Sequence, residues 1–397
     1  MIMINDKTKC TGCHACFLSC PKHCISMVAD AEGFWYPKVD NTKCSNCNIC
    51  NNVCPIINNS NVNEAVNIQA FAAISNNDGI RMQSSSGGIF SALAEMVLDE
   101  GGVVFGAAFD EDFSVKTTYV ENKEKLNILR GSKYVQSMIG NSYVQAKKFL
   151  NDGRVVLFSG TPCQIGGLYA FLNKNYERLV TVDIICHGVP SPLVWRKYLD
   201  YRMENSKAKI KHISFRNKNE GWKNFSMYMQ FLDGKEYCVR HDNDPFMDVF
   251  LRNFCLRPSC YECSYKTANR QADITLADFW GIEDVHKDLF DDKGTSLVIL
   301  NSNVGKDYFN HLSENLQYEY FDYKRIQNYN ACYLKSVNKP DERDYFLKQI
   351  AKYGFRHSYD KLIIKEEKLL VKQRRIRRYK KRIKAVKRRV LSLVKRN

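Results

Sequence analysis

Cysteines are the residues of this 397-residue chain best placed to do chemistry, and eight of its sixteen lie near the N-terminus in two copies of one pattern. Cys10, Cys13, Cys16 and Cys20 are followed by Pro21; Cys44, Cys47, Cys50 and Cys54 are followed by Pro55. In the run C-x2-C-x2-C-x3-C-P, three thiolates grip one 4Fe-4S cubane and the fourth reaches across to a neighbouring cluster. The spacing thus assigns Cys10, Cys13, Cys16 and Cys54 to cluster one, and Cys44, Cys47, Cys50 and Cys20 to cluster two. Structural zinc wants two separated CxxC or Cys/His pairs, which the third cysteine of each run fits poorly. A disulfide framework does not explain the duplication. Cys24 has no cluster vacancy to fill and is read as a small buried residue.

The remaining cysteines are Cys163, Cys186, Cys238, Cys255, Cys260, Cys263 and Cys332. Cys163 and Cys186 each follow a predicted strand, and Cys260 with Cys263 makes a CxxC. Two strand-end turns and one CxxC loop supply enough thiolates for a third 4Fe-4S cluster. Taken singly, a strand-end cysteine is equally a core residue, and the CxxC equally suits zinc.

Two other stretches offer binding groups. Ser84 to Gly88 (SSSGG) runs into a predicted helix, so that free N–H groups and small side chains meet at a helix start, an arrangement that holds phosphate; a Ser/Gly cap without a ligand has the same sequence. Gly131 to Ser137 (GSKYVQS) gathers Ser132, Lys133, Tyr134 and Gln136, a cation with hydroxyls and an amide.

The elements that must position these groups divide the chain into five. Residues 1–57 are the duplicated cysteine module, each half read as a short hairpin plus a turn of helix. Residues 58–67 (NNSNVNEAVN) are a polar linker. From 68 onward strands and helices alternate: strand at 68–75, helix at 87–100, strand at 102–109, helices at 122–129 and 141–150, strand at 154–159, helix at 161–172, strand at 178–186. Strand then follows strand from 209 to 240, with a helix at 245–253, strands at 273–278 and 296–301, and helices at 304–315 and 341–353. Such alternation predicts an α/β body that binds ligands beyond the carboxyl ends of its strands, divided into 68–150 and 151–355. Residues 356–397 form a basic amphipathic helical tail.

The stretches SSSGGIFSALA (84–94), GSKYVQS (131–137), SGTPCQIGGL (159–168), CHGVPSP (186–192) and CLRPSCYECSYKTANRQADITLADFWGI (255–282) resemble the coenzyme F420 hydrogenase/dehydrogenase beta-subunit family. The likeness covers roughly residues 68–330, preceded here by a fused two-cluster ferredoxin. It implies an α+β or α/β chain: a bacterial-type ferredoxin module, a mixed α/β flavin-binding body and the C-terminal basic helix. It also implies FAD and one further 4Fe-4S cluster in the body, with ligands at Cys163, Cys186, Cys260 and Cys263; Cys255 is the alternative ligand. FAD contacts fall on Ser85, Ser86, Gly87, Gly88, Ser132, Lys133, Tyr134, Gln136, Thr161 and Gln164. Lys133 is read as a partner for phosphate or the flavin ring, or else as a solvated lysine. Arg270, Asp273, Asp278 and Trp280 lie near the CxxC as candidates for the substrate side. His187 is a candidate proton donor, with support of the neighbouring ligand as its alternative. The implied activity is an iron-sulfur flavoprotein oxidoreductase acting with a redox partner protein, such as a ferredoxin or a hydrogenase or dehydrogenase subunit. Its organic two-electron substrate is an F420-like deazaflavin or another small metabolite, for example a carbohydrate. The alternative is a non-catalytic subunit that relays electrons to a partner enzyme.

Charge is confined to the tail. Of the net +16, sixteen Lys and Arg against Glu366 and Glu367 lie from Lys365 onward, leaving a nearly neutral body. The tail's apolar residues repeat every seven (Leu369, Ile376, Ile383, Val390; Tyr379, Val386, Leu393), a seam on a basic helix. It suits an anionic membrane surface, a coiled-coil partner or the chain's own body; nucleic acid is disfavoured because aromatic residues for stacking are nearly absent. No apolar run is long enough to span a membrane, and the N-terminus lacks a signal-type apolar block. The expected location is the cytoplasm, with contact to the inner face of the membrane through the tail.

Overall fold

In a computed structural model of the chain, residues 2–3, 6–58 and 68–364 are described. The cysteine repeat folds as two one-turn helices, Ala15–Leu18 and Ile49–Asn52. Between the runs lies an antiparallel hairpin, β1 (Ile25–Ala29) and β2 (Trp35–Val39). Among the described residues the two halves share this one hairpin rather than having one each, because the β-prone segments ISMVA and WYPKV both fall between Cys20 and Cys44. The backbone preserves the duplication: Gly12 and His14 have φ of 69° and 66°, and Asn46 and Asn48, at the equivalent places, 53° and 63°. Left-handed residues on either side of Cys13 and of Cys47 curl each loop so that successive amides face inward, as in an anion-binding nest.

The body is built on an eight-stranded mixed sheet. In chain order its strands are β3 (Gln69–Ser75), β4 (Val103–Phe109), β5 (Val115–Val120), β6 (Val156–Ser159), β7 (Leu179–Ile184), β11 (Ile274–Asp278), β12 (Ser296–Leu300) and β13 (Leu316–Phe321). Between β7 and β11 the chain makes a separate three-stranded sheet, β8 (Ile210–Asn217), β9 (Ser226–Phe231) and β10 (Glu236–Arg240), in order β10-β9-β8. The large sheet runs β13-β3-β12-β11-β7-β6-β4-β5. Its centre, β4-β6-β7-β11, is parallel and its flanks are antiparallel. Residues 68–150 and 151–355 thus contribute strands to one sheet.

Parallel strands covered on both faces read as near-continuous apolar runs, and VLFS (β6) and LVTVDI (β7) fit that. Helices Ile89–Asp99 and Asn303–Leu312 cover one face around Leu93, Val97, Leu157 and Phe309. Ser142–Asn151 and Pro162–Leu172 cover the other around Phe105, Phe158 and Leu168. A second core, with Trp195, Tyr198, Phe215, Phe246 and Phe346, joins the small sheet to helices Pro192–Ser206, Pro245–Leu251 and Arg343–Tyr353. The helix Pro192–Ser206 and the edge strands β5 and β13 go beyond the sequence-based reading. VKTTYV and LQYEYF carry polar residues because the edges of the sheet are less covered than its centre. The segment 122–129 is a 3-10 helix, Lys123–Ile128. Residues 355–364 are helical; the heptad series of the tail lies in 365–397, outside the described residues. Among the described residues no helix is long and apolar enough to cross a membrane.

Candidate functional site

Adjacent parallel strands β6 and β7 end side by side, and each delivers a cysteine just beyond its carboxyl end, where open α/β sheets place their ligands. After β6, Thr161 caps helix Pro162–Leu172: Pro162 stands at its first position and Gln164 Oε1 accepts from Thr161 N (2.9 Å), locking Cys163 into the first turn. Cys186 follows β7. The loop bearing Cys260 and Cys263 is laid along residues 187–191. Ser191 N donates to Cys255 O (2.8 Å) and Arg257 N to Val189 O (3.0 Å), Pro190 bridges Leu256, and Val189 N donates to Cys260 Sγ (3.4 Å). Cys163, Cys186, Cys260 and Cys263 are thereby electrostatic neighbours. Burial pushes the Cys163 thiol well above its ordinary range, Cys186 up to about 12 and Cys260 up to about 11. Lys266, which donates to Cys186 O and to Cys332 O (2.8 Å), opposes the shift at Cys186. Such thiols ionise when a cation takes the proton's place. Cys255 is fully buried in the second core beside Leu256, and burial pushes it up to about 12.

In the ferredoxin module the Cys10, Cys13, Cys16 and Cys54 thiols form one group of electrostatic neighbours. Cys20, Cys44, Cys47 and Cys50 line a separate small cavity. Amides of Gly12, Ala15 and Phe17 face the sulfurs of Cys10, Cys13 and Cys16. Cys24 is buried as expected but also lines the second cavity, its Sγ 3.3 Å from Cys20 Sγ, a contact that pushes the Cys24 thiol up to about 11. Each group brings together four cysteines, the number that holds one cubane. The surroundings fit too: the His14 ring and Tyr265 Oη are buried with no hydrogen-bond partner among the described residues. Cluster sulfurs would supply an acceptor for the Tyr265 hydroxyl and for the single N–H of a neutral His14.

The module is latched to the body by two arginines that sequence reasoning did not single out. Arg257, fully buried, donates to Cys10 O (2.8 Å), Trp35 O (3.0 Å) and Gln136 Oε1 (3.1 Å) and lies 4.3 Å from the Tyr36 ring centroid. Arg343 grips Glu32 with both terminal nitrogens (3.0 and 2.7 Å). Arg257 sits three residues before the CxxC, a position that reads as loop until the ferredoxin is placed against it.

The two loops read as phosphate binders meet. Ser85 Oγ accepts from Ser132 N (2.7 Å) and lies 2.8 Å from Ser132 Oγ. Gly88, with φ +88°, starts helix Ile89–Asp99, and a side chain at Gly87 would strike Ala73 O. Lys133 Nζ donates to Ile128 O (2.9 Å) and Arg130 O (2.8 Å), while burial pushes it down to about 7. Residues from β8 and the turn after it, absent from the sequence reading, close on this loop. Arg216 forks onto Asp278 (2.9 and 3.1 Å) and donates to Ser85 O (3.1 Å), and its Nη1 lies 3.3 Å from Tyr134 Oη. Lys218 Nζ donates to Ser86 O (3.1 Å), Arg81 O (2.8 Å) and Lys293 O (2.6 Å), and burial pushes it down to about 7. Trp222 donates to Asp278 (3.0 Å) and stacks on Trp280.

Residues 70–142 match the family model for the N-terminal part of the coenzyme F420 hydrogenase/dehydrogenase beta subunit and residues 153–325 that for its C terminus; residues 9–57 match a 4Fe-4S dicluster domain. The chain belongs to the coenzyme F420 hydrogenase/dehydrogenase beta-subunit family. Among solved structures it is similar to a chain of the F420-reducing NiFe hydrogenase complex from Methanosarcina barkeri, a xenon derivative, at 17% identity and a TM-score of 0.43, covering 77% of this chain and 93% of that one. That likeness is too distant to carry residue roles. No curated protein matches the chain. As a family member with a dicluster domain, it is an iron-sulfur protein of the electron-transfer class.

Within this beta-subunit body the other predicted residues scatter. Gln136 faces away from the serine loop: its Nε2 donates to Thr11 O (3.3 Å) and its Oε1 accepts from Arg257, at the ferredoxin boundary. Gln164 Nε2 donates to Ser137 Oγ (2.8 Å) and Thr161 Oγ1 lies 3.2 Å from Cys163 Sγ, so both serve the Cys163 turn. His187 Nε2 pairs with Asn253 Oδ1 (2.7 Å) and Nδ1 lies 3.7 Å from Cys332 Sγ, while burial lowers its pKa. With both nitrogens engaged, the ring suits orienting the Cys186 segment more than giving a proton away. Asp273 is buried under Thr181 and Ser302 at the start of β11, and Arg270 pairs with buried Asp183 (3.3 Å). Both tie β7 to β11. Asp278 and Trp280 lie with Arg216 at the carboxyl end of β11.

Proposed function

We propose that this protein is an iron-sulfur flavoprotein oxidoreductase. It would pass electrons between ferredoxin-type 4Fe-4S clusters, a third 4Fe-4S cluster and FAD, to or from an organic two-electron substrate such as an F420-like deazaflavin or another small metabolite. One observation carries the reading: helix Pro162–Leu172 bears Cys163 in its first turn and, one turn on, presents Gly167 to Cys13, where an added Cβ would lie 2.7 Å from Cys13 Cβ. One rigid helix therefore spans the cysteine groups of module and body.

When bound, the clusters supply single-electron transfer and the flavin exchanges two single electrons for a hydride. Cys10, Cys13, Cys16 and Cys54, then Cys20, Cys44, Cys47 and Cys50, then Cys163, Cys186, Cys260 and Cys263 would hold the clusters. The Ser85–Gly88 loop with Ser132 would take the FAD pyrophosphate at the helix start, and Lys218, Lys133 and Arg216 would oppose its charge. Arg257 and Arg343 fix the module against the body. Cys47 is exposed, so a redox partner protein would meet the cluster-two end. The basic tail would add contact with an anionic membrane surface.

A second reading, a subunit that only relays electrons to a partner enzyme, is favoured by the engagement of Lys133 and Ser86 with protein carbonyls. Iron and flavin quantitation with an anaerobic absorption spectrum separates the two: three four-iron clusters give about twelve irons with one FAD. Eight irons and no flavin would leave only the relay.

A further inference from the structure

Resting on that reading, we propose that the Tyr265 hydroxyl is a hydrogen-bond donor held between cluster one and the third cluster, and that it tunes the potential at which electrons cross the module boundary. Tyr265 follows the CxxC by two residues, yet its ring tip does not stay with its own loop. Its neighbouring ionisable groups are Cys13 and Cys54 of the ferredoxin and Cys163 and Cys263 of the body. The hydroxyl oxygen is buried and has no hydrogen-bond partner among the described residues. Leaving such a group unmade costs about 1–3 kcal/mol, a penalty that a bond to a sulfur on either side removes.

The placement is built by glycine. A Cβ on Gly166 would meet Tyr265 Oη at 2.4 Å, and one on Gly167 would meet Cys13 Cβ at 2.7 Å. Two successive helical glycines, each costly to helix stability, thus clear room for the hydroxyl and for the ferredoxin on adjoining sides of the helix. Gln271 Oε1 also borders Gly166 but does not accept from Tyr265. Tyr143 is a contrast in the same gap: its hydroxyl donates to Gln164 O (2.7 Å), so its proton is already committed. A donor aimed at cluster sulfur stabilises the more negative, reduced form, because hydrogen bonds to the sulfurs help set cluster potentials.

The test is an EPR-monitored redox titration of the full-length, anaerobically purified protein and its Tyr265→Phe variant, with iron counted in both. We expect unchanged iron and a lower potential for at least one of the two clusters facing the hydroxyl. A tenfold weaker reduction equilibrium is about 59 mV for one electron. Cluster two, held by Cys20, Cys44, Cys47 and Cys50, serves as internal reference and should not move. Gly166→Ala, whose methyl displaces the hydroxyl, should shift the same potential in the same direction, and Tyr143→Phe should shift none. Full iron with unmoved potentials in Tyr265→Phe overturns the proposal while leaving the three-cluster reading standing. An equal shift in cluster two, or in Tyr143→Phe, overturns it as a general packing effect. Only eight irons in the parent protein would instead remove the reading on which it rests.

Discussion

Replacing Arg257 with Met should loosen the ferredoxin from the body without stripping its clusters. The guanidinium is fully buried, and among the described residues no carboxylate pairs with it. What it has are two ferredoxin carbonyls, Cys10 O at 2.8 Å and Trp35 O at 3.0 Å, the Cys10 Sγ at 3.7 Å, the Gln136 amide at 3.1 Å and the face of Tyr36. Hydrogen bonds from a charged donor contribute about 1.5–3 kcal/mol each, and a desolvated cation–π contact about 2 kcal/mol. Met matches the length and apolar stem but leaves the carbonyls without their donor. Against that loss stands the desolvation of a buried cation, which disappears with it. A net weakening of about 3 kcal/mol follows, or about a hundredfold in the docking equilibrium at 1.4 kcal/mol per decade.

Arg343 with Glu32 remains, so the expected state is a module that opens more often, not one that is lost. Hydrogen exchange at the amides of residues 10–16 and 34–36 reads this directly and should quicken by about two decades, with iron content unchanged. Arg257→Lys keeps the charge but not the planar fork and should fall between. Exchange within twofold of the parent at full iron content would refute the latch; loss of iron in Met but not in Lys would mean that the buried positive charge is needed for folding of the module itself.

Cys260→Ser should remove about four of about twelve irons while leaving the N-terminal pair, and unchanged iron would count against Cys260 as a ligand. Gly167→Ala places a methyl against Cys13 and should speed exchange at residues 10–16 despite the better helix former; equal protection would show that the helix can yield. Lys218 supplies a pH dependence. Its ammonium, about 7 when folded against about 10.4 free, is depressed by burial, so the unfolded chain binds more protons between those values and stability rises with pH, by up to about 1.4 kcal/mol per unit. Below pH 7 that contribution is absent. Urea midpoints for Lys218→Met should therefore rise less between pH 7 and 9.5 than those of the parent; parallel curves would mean that the three carbonyls around Lys218 keep it charged.

How much of this was legible in the sequence depended on how local the constraint is. The eight N-terminal cysteines were legible because ligation fixes their spacing within each run. Cys163 and Cys186 were legible as strand-end residues, since the apolar runs that bury β6 and β7 also mark where they stop. Neither the adjacency of those two strands nor the lie of residues 255–263 along 187–191 is a local property. Arg257, Arg216 and Lys218 escaped for the same reason: a buried cation looks like a surface one until the carbonyls that receive it, from segments far away in the chain, are in place. Gln136 shows the opposite error, in which a polar residue inside a promising loop is credited to that loop. A tight turn, in which Val135 N donates to Lys133 O, separates the two: Gln136 goes to Thr11 while Lys133 goes to Ile128 and Arg130.

The duplication itself is where local reading and tertiary structure part. The two cysteine runs are equivalent in spacing and in their left-handed residues, Gly12 and His14 against Asn46 and Asn48. The body breaks the equivalence. Thr11 and His14 are buried against Arg257 and Gln136, whereas Ser45 to Asn48 stay exposed. Two equivalent groups of cysteines thereby acquire an inner and an outer member. The outer group, with Cys47 exposed, is open to the surroundings, while the inner one lies against Arg257 and Tyr265. Fusion of the ferredoxin to the body therefore does more than raise its local concentration, because the buried arginines fix its orientation against the body.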